Sequence, residues 1–134
     1  MKKPNILVES IFVGFYSLLT SVIILQFFNY SMLLNAFIIG FFKHFMSGIF
    51  GLQQYYCSRY IKCDSFILKN LILESIGEGI LFVILYSILS SFRNEYFNNN
   101  VFVIFFIIGV VLHLSFEELG IHSSFCKSHC KNKK

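Results

Sequence analysis

Charge is scarce in this chain. Only 13% of its 134 residues are Asp, Glu, Lys or Arg, against roughly a quarter in an ordinary soluble domain. That polar content is too small to cover a soluble core, so a soluble globular fold is excluded. Proline occurs once, which together with the apolar content excludes collagen-like, linker-type and disordered chains. No glycine-rich phosphate loop, Ser-nucleophile motif or His-Glu-x-x-His pattern is present, so kinase and hydrolase readings have no support and the reading leans away from an enzyme. What is abundant is apolar: 56% of residues are hydrophobic, 18 are Phe, and the mean hydropathy is +0.70. The composition is that of a multi-pass integral membrane protein forming one membrane domain over residues 1–134, with the lipid bilayer as its first partner.

A helix needs about 20 apolar residues to cross about 30 Å of hydrocarbon. Four segments qualify, at about residues 6–28, 32–50, 65–92 and 101–119. The polar triplet Asn29-Tyr30-Ser31 divides the first run, and residues 93–100 separate the last two. The runs exceed the roughly ten residues of a membrane strand and lack sustained alternation, so the expected fold is all-α, a four-transmembrane-helix bundle. Pro4 suits a first helical turn, Asp64 or Ser65 can cap the third helix, and Gly51 and Gly120 fall just past the second and fourth. The first run contains Glu9 and no small-residue cleavage site, so it reads as an uncleaved span. Asn29-Tyr30-Ser31 matches a glycosylation sequon, but a tight turn flush with the bilayer makes modification improbable.

Lys and Arg are distributed unevenly. One end of the bundle carries Lys2, Lys3, Arg59, Lys62, Lys69, Lys127, Lys131, Lys133 and Lys134, whereas the other carries Arg93. The positive-inside tendency then places both termini in the cytosol. The net charge of +4 follows from topology and calls for no nucleic-acid partner, though the basic tail suits anionic headgroups. A homo-oligomer or membrane-protein partners are compatible with so small a chain. The abundance of Phe, Ile, Asn and Lys suggests AT-rich coding, as in large DNA viruses, protists and endosymbionts, and so allows a viral or a host membrane.

The sequence also repeats itself. Residues 37–57 align without gaps on 106–126, with Phe37, Ile38, Ile39, Gly40, His44, Gly51 and Cys57 recurring as Phe106, Ile107, Ile108, Gly109, His113, Gly120 and Cys126. Apolar coincidences are cheap in a membrane protein, but Gly, His, Gly and Cys matched at one offset are not. Glu9-Ser10-Ile11 followed by Gly14 recurs as Glu74-Ser75-Ile76 followed by Gly79. The expected architecture is therefore two tandem parallel helical-hairpin repeats, about 5–63 and 64–130, related by an axis along the membrane normal.

Charged side chains in a span cost roughly 2.5–3.5 kcal/mol at mid-membrane and face the bundle interior. Glu9 and Glu74 fall near the interface on the side assigned to the cytosol, with His44 and His113 roughly 10 Å deeper at 1.5 Å per residue. Glu78, Ser47 and Glu117 lie between, so a symmetric intramembrane site of Glu9, His44, Glu74, Glu78, His113 and Glu117 is expected in the cytosolic half. Glu78 is too deep to reach water and needs a donor such as His113 or Lys43. One of Glu117 and Glu118 should face water. Such a cluster suits proton or divalent-metal handling, because imidazole titrates near neutrality and ligates transition metals. The alternative is a structural or assembly component in which the same residues specify packing. Small residues Ser10, Gly14, Ser17 and Ser21 line one face of the first helix, where they allow close approach.

For a divalent metal, the candidate ligands are His44 and His113, or the thiolates of Cys57, Cys63, Cys126 and Cys130. The cysteine spacings lack a Cys-x2-Cys knuckle, and their assignment to the cytosol disfavours disulfides. Four helices with paired cysteines also suit a quinone-coupled disulfide oxidoreductase, and the same two points argue against one. Haem between the two His is disfavoured, since no other cofactor pattern accompanies them.

Overall fold

The structure, a computed structural model, describes residues 5–58, 60–62, 65–92 and 100–131. Pro4, Asp64, Cys63 and the stretch 93–99 lie outside the described residues. In chain order the elements are α1 (Ile6–Phe27), α2 (Met32–Ile49), α3 (Leu52–Cys57), β1 (Ser65–Phe66), α4 (Leu68–Ser91), α5 (Val101–Glu118), α6 (Ile121–His129) and β2 (Cys130–Lys131). Four of the helices, α1, α2, α4 and α5, are long and apolar enough to cross a membrane. Their length satisfies the hydrocarbon thickness, and their continuous hydrogen bonding satisfies the backbone.

Three of the four spans begin where the apolar runs begin. The exception is α4, expected from residue 65 but starting at Leu68. Its approach is extended because β1 and β2 pair antiparallel, Ser65 opposite Lys131 and Phe66 opposite Cys130, which ties the loop before α4 to the segment after α6. The triplet Asn29-Tyr30-Ser31 is the turn between α1 and α2, and the Ser31 hydroxyl caps α2 by accepting from the Leu34 amide at 3.4 Å.

Two helices were not expected at all. After α2 and after α5 the chain turns through Gly51 (φ 75°) and Gly120 (φ 67°), left-handed conformations that glycine adopts without a Cβ clash. Each turn starts a short helix, α3 or α6, that leaves the direction of the preceding span. Leu52–Cys57 and Ile121–His129 are too short and too mixed in polarity to announce themselves as helices.

Packing runs across the chain: α1 lies chiefly against α5, and α2 against α4. Each crossing is tight at a glycine. A Cβ on Gly109 would sit 2.8 Å from Ser17 Cβ and 3.0 Å from the Val13 carbonyl, and one on Gly40 would sit 2.8 Å from the Phe82 ring and 2.9 Å from the Glu78 carbonyl. In lipid, where tails are as apolar as side chains, such close van der Waals contact is what holds helices together. Ser10, Gly14, Ser17 and Ser21 are all buried on α1, as their spacing implied. Ser10 and Ser17 donate to the Ile6 and Val13 carbonyls of their own helix, so their burial leaves no donor unmet. Phe82, Phe105, Ile39 and Ile108 are fully buried at the centre, with Phe105 stacked on Tyr86 and Phe82. Phe12, Phe15 and Leu19 on α1 and Leu73, Ile80 and Ile84 on α4 point outward, an apolar exterior suited to lipid.

The expectation that the cysteines remain thiols is corrected. Cys57 and Cys126, at the ends of α3 and within α6, form a disulfide, and each residue is 1% exposed. The physical reason lies in the two glycine turns, which fold both short helices inward over the same end of the bundle until their sulfurs meet.

Candidate functional site

Beneath that disulfide is a cavity of about 850 Å³, within the size range of small-molecule sites. Its walls are apolar residues of the spans, and its polar groups come from α1 to α6. They divide into two sides, one around His44 and one around His113.

On the first side, successive residues of α2 supply Lys43 and His44, α4 supplies Glu74 and Glu78 one turn apart, and α3 supplies Gln53. Glu78 is the hub. The Lys43 ammonium donates to its Oε1, and His44 Nδ1 lies 2.5 Å from its Oε2. The Gln53 amide nitrogen lies 2.9 Å from His44 Nε2. The imidazole is thus held from both nitrogens, Nδ1 against the Glu78 carboxylate and Nε2 against the Gln53 amide. Glu74 Oε2 stands 3.6 Å from His44 Nε2. Lys43 and Glu78 are both buried, so pairing is what makes their presence tolerable away from water.

On the second side, α5 supplies His113 and, one turn later, Glu117, while α6 supplies His122 and α1 supplies Glu9. Glu9 Oε2 is 3.9 Å from His113 Nε2, the counterpart of the Glu74 and His44 pair. His122 Nδ1 donates to Glu117 Oε1 at 2.7 Å, and the Tyr60 hydroxyl donates to Glu117 Oε2 at 3.0 Å. The His113 and His122 rings are 5.0 Å apart. Burial, followed by the field of Lys43 and His44 against that of Glu78, sets the His122 imidazole at about 4, so it is neutral at physiological pH.

The short helices close the cavity crosswise. Tyr56 of α3 meets the edge of His113 at 5.8 Å between centroids, and Phe125 of α6 meets His44 at 6.0 Å. Tyr56 and Phe125 each precede one of the disulfide cysteines, so the bond holds both aromatic caps over the opposite imidazoles.

Of the residues expected to form a site, Glu9, His44, Glu74, Glu78 and His113 all line this cavity. Glu117 joins them through His122, whereas Glu118 is exposed, as one of that pair had to be. Glu78 finds Lys43 and His44 as its donors, not His113. Cys57 and Cys126 are bonded to each other, and Cys130 is likewise in a disulfide, so none of the three offers a thiolate to a metal, which removes the four-thiolate zinc arrangement. Cys63 lies outside the described residues. Gln53, Tyr56, Tyr60 and His122 carry no signal in the sequence that assigns them to the site by themselves. The offset of 69 that matches His44 to His113 also matches Gln53 to His122, and that correspondence could have brought both into the site. Comparison with known protein families, with curated proteins and with solved structures returns no match.

Proposed function

We propose that this chain is a multi-pass membrane protein of two tandem hairpin repeats that handles a cation, a proton or a divalent metal, in the polar cavity within one half of the bilayer. The observation that carries the reading is convergence: Glu9, His44, Glu74, Glu78 and His113 come from four different apolar helices and line one cavity. Ionisable groups are costly at membrane depth and mark ion paths or proton relays when they gather in a bundle interior. Exchangeable imidazole and carboxylate pairs at 3.6 and 3.9 Å supply what proton transfer or metal ligation needs. The repeat reading draws support from the recurrence of each crossing, His–Glu pair and aromatic cap at matched positions. The Lys and Arg distribution would put the termini in the cytosol.

The test is flux in reconstituted vesicles carrying a pH-sensitive or a metal-sensitive dye, under an imposed gradient. Wild type should move protons or a divalent metal faster than empty vesicles, and Glu9→Gln/Glu74→Gln/His44→Gln/His113→Gln should not. Binding and flux unchanged by those four substitutions would sink the reading.

A structural or assembly role is the second reading, favoured by the glycine crossings and by the closed Lys43–Glu78–His44 set. It predicts that the same variants lose folded yield while wild type moves no ion.

A further inference from the structure

The two sides of the cavity differ in a way that singles out a binding site. The donor atoms of His113, Glu117 and His122 all lie within 4.8 Å of one another, a spread that small side-chain rotations would close around one ion. Backbone geometry builds this cluster: Glu117 stands one turn beyond His113 on α5, and the left-handed Gly120 turn brings His122 back beside that last turn. Tyr60 donates to the far oxygen of Glu117, the kind of outer contact that orients a ligating carboxylate. Sixty-nine residues earlier the same three positions hold His44, Gly48 and Gln53. There the carboxylate and second imidazole are absent, and a built-in cation, Lys43, occupies the polar interior.

We propose that His113, Glu117 and His122 form a site for a single first-row transition-metal ion of the Zn²⁺ type. This rests on the cation reading of the cavity and deepens it by naming the ligands. Two imidazoles and one carboxylate suit Zn²⁺ and its neighbours, whereas Ca²⁺ and Mg²⁺ require sets of oxygen ligands. Three protein ligands leave a fourth position for water or an exogenous group, as in sites that do chemistry or pass an ion on. His113 and His122 both line the cavity, so that position is supplied from inside it. Glu9, at 3.9 Å from His113 Nε2, is a carboxylate placed to take it or to orient the imidazole.

The experiment is titration of Co²⁺ into full-length, detergent-purified protein stripped with chelator, without reductant so that the Cys57–Cys126 bond persists. Visible d–d absorption and Zn²⁺ competition are read. Wild type should bind one Co²⁺ per chain with the intense bands of low coordination number, displaced by one Zn²⁺. His122→Gln, which installs the residue found at position 53, and Glu117→Gln should each weaken binding by more than the roughly 10–100-fold typical of losing an outer-shell partner. Tyr60→Phe should weaken it by roughly 10–100-fold, and Glu118→Gln, an exposed neighbour, should leave it unchanged. Unchanged elution on size exclusion keeps misfolding from mimicking the result. Stoichiometric binding that survives both His122→Gln and Glu117→Gln overturns this site while leaving a cation elsewhere in the cavity. Absence of any bound metal overturns the site as well, and proton flux in vesicles then decides the broader reading separately.

Discussion

The His44 and His113 sides of the cavity share a skeleton and differ in how their charge is balanced. Both have an imidazole beside a carboxylate from the helix packed across it, and both are capped by an aromatic from the opposite short helix. Around His44, Lys43 answers Glu78 within the chain. At the positions that correspond, the His113 side has Leu112 and Val13, so that buried pair is missing, while Glu117 and His122 stand where the other side has Gly48 and Gln53. Among the described residues the His113 side thus gathers Glu9 and Glu117 without a lysine of its own. With the metal site proposed above, one framework would carry two solutions to the same problem of burying carboxylates: a cation carried by the protein, or a place for one taken from solution.

The comparison breaks most visibly at the Lys43–Glu78 pair. Glu78→Gln or Lys43→Leu alone strands a buried charge and should cost about 3–5 kcal/mol. The double variant Lys43→Leu/Glu78→Val copies the residues at 112 and 13 and should recover at least half of that loss, the remainder reflecting His44 without its acceptor. Thermal unfolding in detergent measures both. A double variant as unstable as the singles would mean that the pair does more than neutralise itself.

A smaller effect, felt on both sides equally, is expected from the disulfide. Cys57→Ser/Cys126→Ser should lower stability by about 2–4 kcal/mol, reduction, which also opens the disulfide of Cys130, by at least as much, and the caps Tyr56 and Phe125 should loosen together. The chain has seven tyrosines, so the part of the acrylamide quenching of tyrosine fluorescence that is lost in Tyr56→Phe, before and after reduction, reports on the Tyr56 cap. If the protein unfolds at the same temperature with and without reductant, the short helices are held by packing alone.

How much of this was legible in the sequence depended on the length scale of the signal. Spans announce themselves through 18 or more apolar residues, and α1, α2, α4 and α5 followed. The Gly51 and Gly120 turns were visible because glycine is favoured where φ is positive. The helices α3 and α6 were not, because six and nine residues of mixed polarity carry no span-like run. Glu74 and Glu78 could be placed on one face by their spacing, but the partner of Glu78 depended on which helix lay across from it, and α2 against α4 is a tertiary fact. The disulfide was missed for a different reason. The Lys and Arg distribution assigns this end of the bundle to the cytosol, where thiols stay reduced, while the Cys57–Cys126 bond belongs to an oxidising environment. Charge and sulfur therefore point to opposite faces of a membrane, and a C-terminal reporter active on one face alone would decide between them.

The smallest expected effects lie at the glycine crossings, where the two sides again differ in what a new methyl group meets. In Gly40→Ala the added Cβ runs into the Phe82 ring and the Glu78 carbonyl at 2.8 and 2.9 Å. Phe82 is fully buried and stacked on Phe105, so the ring has no vacant space to move into and the helices must separate. In Gly109→Ala the neighbours are Ser17 Cβ at 2.8 Å and the Val13 carbonyl at 3.0 Å, which no side-chain rotation displaces, so here too the helices must part. Overpacking of this kind costs about 1–3 kcal/mol, and both Gly40→Ala and Gly109→Ala are expected within that range. Ser17→Gly added to Gly109→Ala shifts the missing methylene to the other helix and should restore the unfolding temperature to near that of wild type. Because alanine is the better helix former by about 1 kcal/mol, a Gly109→Ala variant more stable than wild type would show that α1 and α5 can part without loss, and that the His113 side does not depend on their close approach.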